Sequence, residues 1–148
     1  MDQVSTHIDA PPGRVWDLVT DVTRMGEWSP ECTGCEWNDD AGGPTVGARF
    51  KGHNRHGLVR WTTRCEVSVA DAPSHFAFDV EQSGARWGYR FEADDGGTRL
   101  TEYREQRRPK RWWVRPVYAF RLLGWDRERI VVDGMQQTVD RIKAAAER

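Results

Sequence analysis

Nowhere in these 148 residues do about 18 apolar side chains run together, so no segment is predicted to span a bilayer. The start, MDQVSTHIDAPP, has neither basic residues nor an apolar stretch, and is not expected to act as a secretion signal. Cysteine is scarce: there are three, an odd number, two of them close together. That count does not make a disulfide framework, and a reducing, cytoplasmic compartment fits it. Charge of one sign is also lacking. Lys and Arg total 22 against 23 Asp and Glu, for a formal net charge of −1, which removes a general attraction to nucleic acid or anionic lipid. There is no Gly-x-Ser-x-Gly, no Gly-x-Gly-x-x-Gly after a strand, no P-loop and no His-Glu-x-x-His. Triad, nucleotide and metalloprotease chemistry therefore have no support. Internal repeats and low-complexity linkers are absent too, and the length predicts one domain, residues 1–148, with one core.

What the chain has in quantity is tryptophan, eight residues, a side chain suited to lining a pocket or its rim. It also has a clear order of patterns. Val4, Thr6 and Ile8 alternate with polar residues and predict a first strand. Ala10-Pro11-Pro12-Gly13 ends it, and Val15, Trp16, Leu18, Val19 and Val22 follow at helical spacing. A short helix is expected there, capped by Asp9 or a neighbour, with a second short helix near Val22–Met25. Strands are predicted at Cys35–Asn38, Ala48–Asn54, Leu58–Val69, His75–Gln82, Arg86–Ala93 and Thr98–Gln106. Turn residues such as Arg55-His56-Gly57, Asp71-Ala72-Pro73 and Asp94-Asp95-Gly96-Gly97 separate them, so neighbours should pair as antiparallel hairpins.

Period-two alternation assigns the two faces. Phe50, Trp61, Cys65, Val67, Val69, Phe76, Phe78, Val80, Trp87, Tyr89, Phe91 and Leu100 share one parity, and mostly charged residues share the other. Beyond Pro109 the period becomes helical: Val117, Phe120 and Leu123, then Ile130, Val131, Gly134, Met135, Thr138, Val139 and Ile142. One long C-terminal helix, interrupted or bent at Gly124, would cover the apolar face.

This order resembles that of the START-like (SRPBCC) superfamily, and within it the bacterial polyketide cyclase/dehydrase-like group. The resemblance is carried by Ile8-Asp-Ala-Pro-Pro-Gly-Arg-Val-Trp-Asp-Leu18, Met25-Gly-Glu-Trp-Ser-Pro30, Val46-Gly-Ala-Arg-Phe50, Gly96-Gly-Thr-Arg-Leu-Thr-Glu102 and Gly134-Met-Gln-Gln-Thr-Val-Asp-Arg-Ile142. It implies an α+β helix-grip fold: a curved, seven-stranded antiparallel sheet around a long C-terminal helix, with two short helices after the first strand. It also implies a cavity between sheet and helix that takes an apolar or aromatic ligand. Members of the superfamily include polyketide cyclases and lipid or quinone binders, so the fold alone does not choose between an enzyme and a binding protein.

Candidate site residues follow from the faces. Asn54, Thr63, Gln82, Glu102 and Arg104 are polar residues on the apolar parity. Each needs a partner, a water or a ligand, unless it lies at a wet strand end. Glu102 and Arg104, two apart on one strand, could satisfy each other, or Glu102 could act as an acid or base on a polyketide. The rings of Phe50, Trp61, Phe78, Trp87, Tyr89 and Phe120, with Met135 from the helix stripe, are either core or pocket wall. Trp28 lies on a loop between Gly26 and Pro30. The resemblance implies a lid or wall over the cavity mouth for it, the alternative being a core plug.

Cys32-x-x-Cys35 has zinc-like spacing, but no second Cys pair or His cluster completes four ligands, and the motif precedes a strand rather than opening a helix. No metal or cofactor is expected, and the segment is read as a connector. The basic run Arg107–Arg115, with Trp112 and Trp113, is read as a loop into the last helix, contact with a membrane surface or a protein partner being the rival reading. The expected partner is thus a small apolar or aromatic ligand, not nucleic acid, with a weak homodimer left open.

Overall fold

A computed structural model of the protein describes residues 1–38, 43–108 and 127–148. The chain opens with strand β1 (Asp2–Ile8), helix α1 (Pro12–Thr20) and a 3₁₀ turn (Val22–Glu27). Six strands follow: β2 (Cys32–Trp37), β3 (Arg49–His56), β4 (Val59–Asp71), β5 (His75–Val80), β6 (Ala85–Asp94) and β7 (Gly97–Gln106). Helix α2 (Arg127–Ala146) closes the described chain. The seven strands form one antiparallel sheet in the order β1-β7-β6-β5-β4-β3-β2. The segment from α1 to the 3₁₀ turn therefore carries the chain from one sheet edge to the other. This is the helix-grip architecture that the order of patterns predicts.

Local chemistry explains the starts and stops. Pro12 at the first position of α1 has a φ already suited to a helix and no N–H to leave unpaired. No side chain caps α1. The expected cap, Asp9, instead gives its backbone N–H to Glu147 Oε2 at 2.8 Å, which ties the start of α1 to the end of α2. Asp21 caps the 3₁₀ turn by accepting from the Thr23 N–H. Gly96 takes a φ of 78° in the β6–β7 hairpin, where a side chain would strain the backbone.

The predicted faces hold, with one correction in β4. Val67 pairs with Phe78, but Val69 pairs with Ala77 and Ala70 with Phe76, so the ladder slips one residue between Val67 and Val69. This bulge turns the end of β4 over. Ala70, not Val69, packs on the core beside Phe76. Alternation over a longer run predicted Val69 there, because a sequence pattern does not register one inserted residue.

The core divides the space between sheet and helix into two parts. At one end Ile8, Val67, Phe76, Phe91 and Leu100 from the sheet meet Val15, Trp16 and Val19 of α1 and Val139, Ile142 and Ala146 of α2. Trp16 makes edge contacts with Phe76 (6.0 Å) and Phe91 (5.4 Å), filling this end with rings. At the other end the first turns of α2 face β3–β7 across a cavity. The expected helical stripe at Val117, Phe120 and Leu123, and the bend at Gly124, lie outside the described residues. Among the described residues no helix is long and apolar enough to cross a membrane.

Candidate ligand cavity

The cavity measures about 590 Å³, within the range of small-molecule sites. Its floor is the inner face of the sheet. Phe50, Gly52 and Asn54 come from β3, Trp61, Thr63 and Cys65 from β4, Phe78 and Val80 from β5, Trp87 and Tyr89 from β6, Glu102 and Arg104 from β7. The cross-strand pairs Phe50–Cys65, Asn54–Trp61, Phe78–Trp87, Tyr89–Glu102 and Trp87–Arg104 bring these side chains to one face. The roof is α2, with Ile130, Val131, Gly134, Met135 and Thr138. Pro30 reaches within 3.3 Å of the position a Cβ would take on Gly134, so the loop before β2 meets the helix at one side of the opening.

Glu102 is the exceptional residue. It is 2% exposed, and its Oε2 is buried with no hydrogen-bond partner among the described residues. Burial alone pushes its carboxyl well above the usual carboxylate range. The side chain therefore keeps its proton to a higher pH than an exposed glutamate does. Tyr89, opposite it on β6, is also buried, and its phenol is held above its ordinary value by burial and by the nearby Glu102.

The other polar wall residues have partners. Arg104 does not pair with Glu102. Its guanidinium lies 3.4 Å from Asp2 Oδ2 and 5.9 Å from the Trp87 ring centroid. Asn54 Nδ2 donates to Thr63 Oγ1 at 3.3 Å, and Gln82 Oε1 accepts the Arg64 N–H at 2.9 Å. Near the opening His56 Nδ1 lies 3.0 Å from Glu31 Oε2. Among the polar residues expected in the wall, the carboxyl of Glu102 is thus the one with an unmet hydrogen bond deep inside.

Eleven of the residues expected at a site line this space: Phe50, Asn54, Trp61, Thr63, Phe78, Gln82, Trp87, Tyr89, Glu102, Arg104 and Met135. Trp28 does not. It is 2% exposed and belongs to the core, with the Arg24 guanidinium 5.3 Å over its ring and its carbonyl accepting from Arg141. The lid position expected for it falls to its neighbours Met25, Ser29 and Pro30. The reason is the 3₁₀ turn, which directs the ring inward at its end. Phe120, Trp112 and Trp113 lie outside the described residues.

Sequence reasoning missed Met25, Cys32 and Cys35 as wall residues. Three apart on a regular strand, two cysteines point to opposite faces. Here Cys32 pairs with Asn54, Gly34 with His53 and Cys35 with Gly52, so a bulge at Thr33–Gly34 turns both thiols to the cavity. The strand begins three residues before the predicted Cys35, and Gly34, just ahead of that predicted start, was the available signal.

A family profile described as "Polyketide cyclase / dehydrase and lipid transport" matches residues 3–147. No curated protein matches the chain. Among solved structures, it is similar to a polyketide-cyclase-like protein of Corynebacterium glutamicum: 32% identity, 99% of this chain and 88% of that one covered, TM-score 0.56. The di-domain ARO/CYC protein StfQ of the steffimycin biosynthetic pathway matches in fold at 15% identity, with 100% of this chain, 45% of that one and a TM-score of 0.71. An AHSA1-like protein of Aeromonas hydrophila matches at 19% identity, covering 97% of this chain and 90% of that one, TM-score 0.59.

Proposed function

This chain belongs to the polyketide cyclase/dehydrase and lipid transport family, and on that premise we propose that residues 1–148 act as one domain that binds a small, flat, apolar or aromatic metabolite between sheet and α2. The observation that carries the reading is Glu102: a buried carboxyl held well above its usual range, with no partner for Oε2 among the described residues, in the wall of a ring-lined cavity. A buried polar group left unsatisfied costs about 1–3 kcal/mol. A ligand bearing a carbonyl or phenolic oxygen accepts the Glu102 O–H and removes that cost. Trp61, Phe78 and Trp87 supply flat apolar walls, and Asn54 and Thr63 supply further polar contacts near the opening. Hydroxylated polycyclic ketones fit this pairing of one deep donor with ring-sized walls.

Titration of a hydroxyanthraquinone, followed by quenching of tryptophan fluorescence, tests the reading. The parent should bind one molecule per chain. Thr63→Trp, which projects an indole from β4 into the cavity, should weaken binding by more than about 100-fold, a large part of the affinity of a pocket this size. Its melting temperature should stay close to the parent's. Equal binding by the two proteins would place the ligand elsewhere.

A second reading rests on the same carboxyl. A glutamic acid that keeps its proton well above the usual carboxylate range is equipped to act as a general acid in ring closure or loss of water. In that case Glu102→Gln would abolish turnover of a polyketide substrate and retain binding. A variant that turns over like the parent would exclude this role.

A further inference from the structure

Three sulfur atoms converge in the cavity wall beside the β2 bulge. Cys32 Sγ and Cys35 Sγ are 3.4 Å apart, and Cys35 Sγ is 3.8 Å from Met25 Sδ. All three residues line the cavity, and both cysteines are free thiols. The convergence needs two separate features. The bulge turns Cys32 to the same side as Cys35, and the 3₁₀ turn brings Met25 against that strand. Gly26, next to Met25, permits the approach: a Cβ there would stand 2.8 Å from the Thr33 carbonyl oxygen.

The spacing decides what such a group suits. A disulfide needs its sulfurs about 2.05 Å apart, so closing one here would require the thiols to move together by about 1.3 Å. Two thiolates on one metal, with metal–sulfur bonds of about 2.3 Å, stand about 3.8–4.0 Å apart. The two observed separations lie within about half an ångström of that edge. The donor set is soft throughout. Among the described residues no group of three or more His, Cys, Asp and Glu converges, which leaves zinc without its usual ligands. Two thiols with a thioether are instead the donors that select a soft monovalent ion.

We propose that Cys32, Cys35 and Met25 form a binding site for a soft monovalent metal ion of the Cu(I) type, set in the wall of the ligand cavity. The thiols give up protons as the ion binds. Cys65, also in the wall, is buried with its thiol pushed up to about 12, and its Sγ lies 4.0 Å from Thr63 Oγ1, so it stands outside the group.

The test is an anaerobic titration of the reduced full chain with Cu(I), in competition with a chromophoric Cu(I) chelator. One ion per chain should bind, with a thiolate-to-metal band in the near ultraviolet. Cys32→Ser and Cys35→Ser should each lower affinity by more than about 100-fold, beyond the usual effect of losing an outer-shell partner. Met25→Leu should lower it by about 10-fold, as befits a weaker thioether donor. Cys65→Ser and Met135→Leu, changes of the same kind in the same cavity, should leave it unaltered, and their melting curves serve as folding controls. Equal Cu(I) affinity in the parent and a Cys32→Ser/Cys35→Ser double variant would overturn the proposal. So would tighter binding of Zn(II) than of Cu(I), or full affinity after Met25→Leu.

Discussion

Glu102→Gln should make the protein's stability far less dependent on pH. In the folded chain burial raises the Glu102 carboxyl well above its unfolded value of 4.5. Between those two values the native state binds a proton that the unfolded state has released. The stability this group confers is therefore complete below about pH 4.5 and is lost as pH rises toward the folded value. The slope approaches about 1.4 kcal/mol per pH unit in that window. Glutamine carries no such proton. Chemical denaturation of parent and variant from pH 4 to 8 should give curves whose difference widens as pH rises above about 4.5, in the variant's favour. Taking the difference cancels the carboxylates the two proteins share. Parallel curves would mean that the Glu102 charge is accommodated in the fold, and the deep O–H donor of the proposed site would be lost with it.

The second large effect lies on the opposite face of the sheet. Gly88 pairs with Ala77 on one side and Tyr103 on the other. A Cβ added at Gly88 would overlap the Tyr103 ring, which crosses β6 there to place its hydroxyl 2.7 Å from His75 Nε2 on β5. Arg90 stacks its guanidinium 5.3 Å from the same ring. Gly88→Ala must displace the tyrosine, breaking its hydrogen bond and uncovering the backbone beneath. Overpacking and a lost buried hydrogen bond together predict about 3 kcal/mol of destabilisation, or about 10 °C in melting temperature for a chain of this size. In a Tyr103→Ala background the same change should cost little, because the clash has gone. A full cost in both backgrounds would show that the ring is not what Gly88 accommodates. Below the lowered transition, the cavity on the other face should bind as before.

Much of this architecture was legible because period-two alternation is a strong signal on a sheet with one wet face. The five long strands from Arg49 to Gln106 were found within about two residues at each end, the usual uncertainty of such boundaries. What alternation could not carry was anything that depends on one extra residue. The bulge in β4 exchanged Val69 for Ala70, and the bulge in β2 turned Cys32 to the cavity. The wall of the cavity was legible for a similar reason: residues such as Thr63 and Glu102 are polar on an apolar parity, and the sheet brings that parity to one place. Trp28 and Met25 were not, since their directions are set by a 3₁₀ turn, which has neither period. Nor could spacing reveal the partner of Arg104. Its closest neighbour in sequence of opposite charge on the same face was Glu102, but the β1–β7 pairing places Asp2 beside it.

The central claim is that the space above Glu102 is a site rather than an accident of packing. Native mass spectrometry of the parent, Glu102→Gln and Thr63→Trp, each incubated with the same hydroxyanthraquinone, tests it most directly. A one-to-one complex is predicted for the parent, retained in Glu102→Gln, whose amide N–H keeps a donor in the same place, and absent in Thr63→Trp. No complex with the parent, or equal complexes with all three proteins, would contradict it.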